Sequence, residues 1–107
     1  MDLWTGVACL KANPKVKGFR RFGDGKGAYV NVVACVESQA AFEERVKRHS
    51  EGMDCILVQL DHVQMLETRM GEEDYPEELI TMRETAARQT TDTVFGTFYT
   101  WDQEDAN

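Results

Sequence analysis

Four runs along the chain carry apolar side chains in the way strands do, and two others repeat them at helical spacing. Asp2–Leu10 (DLWTGVACL) predicts a first strand. Ala28–Val36 (AYVNVVACV), rich in β-branched and aromatic residues, predicts a second. Ser38 then stands where an N-cap belongs. From Gln39 the period turns helical, with Phe42 and Val46 on one face and the pairs Glu43–Lys47 and Glu44–Arg48 outside. Gly52 ends this helix, and Cys55–Leu60 (CILVQL) predicts a third strand whose pattern continues weakly to Leu66. A second helix is expected to open on Asp74 as N-cap, with Pro76 in its first turn and Leu79, Met82 and Ala86 on its inner face. Thr93–Trp101 (TVFGTFYTW) predicts the last strand, and the acidic end of the chain is expected to fray from about residue 103.

The order β-β-α-β-α-β over residues 1–107 describes one α+β domain. Its economical form is a two-layer sandwich, with a roughly four-stranded sheet and both helices on one face. Strand 2, helix 1 and strand 3 make a right-handed crossover unit. A ferredoxin-like fold has the same content, but its elements come in another order.

Strict alternation assigns the strand faces. Val30, Val32, Ala34 and Val36 suit the helix-covered side, joined by Ile56, Val58 and Leu60 and by Val94 and Phe98. The opposite side then carries Tyr29, Asn31, Val33 and Cys35, with Cys55, Leu57, Gln59 and Asp61, and with Phe95, Thr97, Tyr99 and Trp101. A one-sided sheet has a polar outer face, so this aromatic set implies a cover. A second copy, another protein, a small ligand, or the chain's own segments 11–27 or 62–71 would each serve. Tyr and Trp are favoured anchors of protein contacts, which points to a protein cover.

Charge sharpens the picture. The net charge is -7, yet residues 1–27 hold six Lys/Arg against two acids, while residues 72–107 hold two against ten. Such a chain repels nucleic acid over most of its surface and attracts a basic partner. Arg20, Arg21 and Lys26 read as one basic patch, expected to meet the acidic segment 72–78 of its own chain or of a second copy. The three cysteines show no paired framework, the first residues lack the basic region of a signal peptide, and no run is long enough to span a membrane. A cytoplasmic protein is the expectation.

Candidate chemistry is sparse. His49 and His62 share no metal-ligand spacing with other residues, so neither metal nor cofactor is expected. Cys35, three residues before the Ser38 cap, is the best-placed thiol, and a buried role suits it better than a nucleophilic one. The glycines of RRFGDGKGAYVN lack P-loop spacing and precede a strand, so they read as a tight turn. Two functional expectations follow. The first is a small acidic binding protein of the inhibitor or immunity type that occludes a basic partner, such as a toxin or a nucleic-acid-processing enzyme. It contacts that partner through Tyr29, Asn31, Glu72, Glu73, Asp74, Phe95, Tyr99 and Trp101. The alternative is a homodimeric α+β-barrel enzyme or sensor that uses the outer sheet face, a comparison by fold alone.

Overall fold

The structure is a computed structural model that describes residues 1–102, so the tail expected to fray lies outside the described residues. Strands β1 (Asp2–Ala12) and β2 (Gly27–Val36) form an uninterrupted antiparallel hairpin, with Asp2 opposite Val36 and Lys11 opposite Gly27. Helix α1 (Gln39–Gly52) and strand β3 (Cys55–Met65) follow. A short helix α2 (Leu66–Met70), which the periodicity did not suggest, leads to α3 (Glu78–Arg88) and to strands β4 (Thr93–Phe95) and β5 (Tyr99–Trp101). The sheet has five strands in the order β3-β1-β2-β4, with β5 also paired to β2, and every pairing is antiparallel. The α+β class therefore holds. Because β2 and β3 both run against β1, they are parallel to each other, and α1 crosses over β1 to join them.

The helices divide between the two faces, where a single helical layer was expected. On one side α1 sets Phe42 and Val46 against Ala8, Leu10, Ala28, Val30, Val32, Ala34 and Val36. Burying each of the larger side chains contributes about 1.5–3 kcal/mol. Ser38 opens α1 as anticipated, its Oγ accepting from the Ala41 N–H at 3.1 Å. On the other side Leu79, Met82 and Ala86 of α3, with Leu66 of α2, close over Val33. Val33 alternates with Val32 and is fully buried all the same, so α2 and α3 cover the half of the far face that Leu3, Val33 and Val94 occupy. Asp74 does not cap α3. It sits in a turn with φ 61°, and the helix begins after Glu77 with no side-chain cap.

Bulges, which simple alternation cannot register, settle the remaining faces. Cys9 pairs with Gln59 but Leu10 with Leu57, so β3 holds an extra residue there. Cys55 and Leu57 thereby point into the α1 core, while Ile56 and Val58 lie exposed, the reverse of the expected assignment. A second irregularity, between Thr5 and Val7, coincides with His62 at φ 55°. The last strand is broken in the same way. Val32 pairs with Phe95 and Tyr29 with Tyr99, so four steps on one side match three on the other. Phe95 thus joins Phe98 in the α1 core, and Val94 turns to α3.

Among the described residues no helix is long and apolar enough to cross a membrane. The loop between β1 and β2 folds beneath the α1 side rather than over the far face: Phe22 is buried and stacks edge-on with Phe19 at 4.8 Å and with Phe98 at 5.8 Å. Its glycines make a turn, as expected, with Gly23 at φ 58° and the Gly25 N–H donating to the Phe22 carbonyl at 2.8 Å. The cover of the far face is directly measurable. Val33→Ala should cost about 1.5–3 kcal/mol in chemical denaturation, the value for a core position. A cost near zero would mean that α3 does not seal that face.

Candidate functional site

What α2 and α3 leave uncovered is the other half of the far face. Cys9 and Val7 lie on β1, Tyr29 and Asn31 on β2, Gln59 and Asp61 on β3, and Tyr99 and Trp101 on β5. Tyr29 and Tyr99 are direct cross-strand partners, 46% and 59% exposed. Trp101 sits opposite Gly27, and a Cβ on that glycine would strike the indole ring and the Leu10 carbonyl oxygen. Gly27 is therefore required by close approach: without a side chain it lets the indole come up against the backbone. Among the described residues the buried indole N–H of Trp101 has no hydrogen-bond acceptor in proper geometry, although it is near enough to the Cys9 sulfur to favour the thiolate somewhat. Burial outweighs that help and the similar help from Tyr29, and it pushes the Cys9 thiol up, with Asp61 adding to the rise. Cys9 is thus a protonated thiol at neutral pH, a poor nucleophile.

Glu78 fixes the border between the covered and open halves. Its carboxylate accepts from Asn31 Nδ2 at 3.0 Å and from the Thr97 N–H at 3.0 Å, and so ties the first turn of α3 to β2 and to the β4–β5 connection. Gly96 makes this possible, because a Cβ there would meet the Glu78 carboxylate and the Met82 sulfur. Desolvation raises the Glu78 pKa, but the hydrogen bonds from Asn31 and Thr97 prevail and hold it below the ordinary carboxylate value. Asn31 is accordingly a structural tether as well as part of the face.

The sequence candidates separate accordingly. Tyr29, Asn31, Tyr99 and Trp101 share the open face, brought together by the β2–β5 pairing. Phe95 does not join them, since the bulge turns it into the α1 core. Glu72, Glu73 and Asp74 are exposed on the approach to α3, and Glu72 lies 3.9 Å from Arg69 of its own segment. The basic patch is divided: Arg21 donates to the Met53 carbonyl at 3.1 Å, near the end of α1, whereas Lys26 lines a hollow of about 370 Å³ with Lys11, Phe19 and Trp101. Glu78 and Gly96 were missed as functional positions. The signal for Glu78 lay in its place at the start of an amphipathic helix, but nothing local names Asn31 and Thr97 as its partners.

Two larger hollows lie elsewhere. One, about 520 Å³, runs between the start of β1 and α2 beside Met65, Met70 and Arg83. The other, about 490 Å³, lies where α1 and α3 end and holds Arg48, His49 and Asp92. Burial, with Arg48 and Arg45 close by, keeps His49 toward its neutral form against the pull of Asp92. Arg45 is itself engaged, donating to the Cys35 and Thr90 carbonyls. Among the described residues no group of three or more His, Cys, Asp or Glu side chains is placed to hold a metal ion.

No family model matches the chain, and neither a curated protein nor a solved structure is significantly similar to it.

The Glu78 tether predicts an acid-sensitive stability. A carboxyl group whose folded pKa is depressed contributes stability above its unfolded pKa, and that contribution disappears as pH falls through the folded value. Glu78→Gln should therefore lower stability near pH 7 by about 1–3 kcal/mol and flatten the loss of stability below about pH 4.5. Denaturation midpoints across pH 3–7 for both proteins check this.

Proposed function

We propose that this chain is a binding protein that works by occlusion, laying the open half of its far sheet face on a basic protein partner in the manner of an inhibitor or immunity protein. The observation that carries this reading is the pair Tyr29 and Tyr99, directly opposed and both exposed, beside the Trp101 ring. These aromatics lie on rigid strands, so little conformational entropy is lost when they are covered, and their hydroxyl tips tolerate a wet rim. The acidic residues Glu72–Asp74 and Glu77 are exposed on the segment that leads into α3, whose Glu78 meets Asn31 at the border of this face, and their charge favours and steers a cationic partner. A toxin or a nucleic-acid-processing enzyme has the positive surface this chemistry selects.

The reading as a dimeric barrel enzyme draws less support. Such a barrel closes by packing whole sheet faces together, and α3 occupies half of this one. The open half offers a thiol that burial and the nearby Asp61 carboxylate both keep protonated, beside amides and tyrosines.

Capture from the native host distinguishes the two. The wild-type protein should retain a basic protein that Tyr99→Ala, and separately the charge reversal of Glu72, Glu73 and Asp74 to Lys, retains at least tenfold less. Equal recovery by all three proteins would remove the proposed surface.

A further inference from the structure

The open face carries opposite charge at its two ends. At the β1–β2 hairpin end stand Lys26 and Lys11, bordering Trp101. Along β2 the face then passes Tyr29 with its partner Tyr99 and reaches Asn31, where α3 begins with Glu78 and the exposed Glu77 just before it. The five steps along the strand from Lys26 to Asn31 span about 17 Å. Cations, tyrosines and carboxylates thus follow one another along a single line, with the tyrosines in the middle.

A line of that kind is complementary to itself when turned by 180°. A twofold axis through the tyrosine pair sets the aromatic patch of one copy on that of the other. The same rotation brings each hairpin end over the partner's acidic approach to α3. We propose that a second copy of this chain covers the face in the absence of another partner, forming a symmetric dimer in which Lys26 of each copy lies against Glu77 of the other. This rests on the function proposed above and adds its regulation: the basic hairpin of the second copy stands in for the basic partner, which must displace it.

Area and net charge set the strength. Strands β3, β1, β2 and β5, about 4.8 Å apart, give with that length a flat footprint of roughly 300 Å². Side-chain relief enlarges it, yet it stays below the roughly 800 Å² per partner of a stable interface. Two chains of net charge -7 also repel beyond the contact. The dimer is weak and exchanges readily, as a displaceable cover must.

Sedimentation velocity on the purified full chain over a concentration series tests this. The wild type should show a reversible monomer–dimer equilibrium. Lys26→Glu and Glu77→Lys, each confirmed folded by circular dichroism, should each weaken it at least tenfold. An equimolar mixture of the two variants should restore it, because both contacts of the mixed dimer then pair opposite charges. A wild type that stays monomeric throughout, or a mixture no tighter than either variant alone, overturns the dimer. The two proposals fail separately: a monomer that still captures a basic protein leaves the occlusion reading intact, and a dimer that captures none leaves the self-association intact.

Discussion

Strand β2 has to be buried along the whole of one face and, around Val33, on the other as well, and the rest of the molecule is arranged around that constraint. Val30, Val32, Ala34 and Val36 need one apolar layer, and Val33 on the reverse side needs another. One helix cannot lie on both sides of a strand, so α1 takes the first and α3 the second. The second layer is small. It holds Val33, Leu66, Leu79, Met82 and Ala86, with Leu3, Met70, Tyr75 and Val94 at its margin, and it stops where Glu78 meets Asn31. Beyond that line neither α2 nor α3 covers the sheet, and the aromatic side chains of β2 and β5 are what it presents.

The border has a defined chemical form. A carboxylate held by an amide side chain and a backbone N–H is a fixed anion at the edge of an aromatic surface, and Gly96 leaves the room for it. Such an anion costs desolvation, which the two donors offset. The carboxylate that fastens α3 thereby also marks the acidic end of the open face. Structure and electrostatics are coupled there, whereas Lys26 and Lys11 at the opposite end stand beside an indole ring that rests on Gly27.

Edge strands add a second constraint. Among the described residues strand β3 is paired on one side only, and its two irregularities, the second with His62 in the left-handed region, interrupt the flat ladder that another chain would extend. Exposed Ile56 and Val58 lie on this strand, so the bulges matter for solubility as well as for register. They also leave Gln59 and Asp61 on the open face, where they supply polar groups at the rim of the tyrosine pair.

The amino-acid sequence by itself determined the order of the principal elements, the cap of α1 and the inner faces of both long helices, because these depend on local periodicity and on residues a few positions apart. It also placed Tyr29, Asn31, Tyr99 and Trp101 together on the far face. Tertiary structure decided the rest. An amphipathic helix requires a cover for its apolar stripe but carries no mark of which side of the sheet supplies it, so the position of α3 follows from Val33, a residue forty-odd positions earlier. Alternation has a period of two, and one inserted residue reverses it. For that reason Cys55, Leu57, Val94 and Phe95 lie opposite to where an unbroken strand would set them, while beyond the β4–β5 bulge Tyr99 and Trp101 face outward in register with Tyr29 and Gly27.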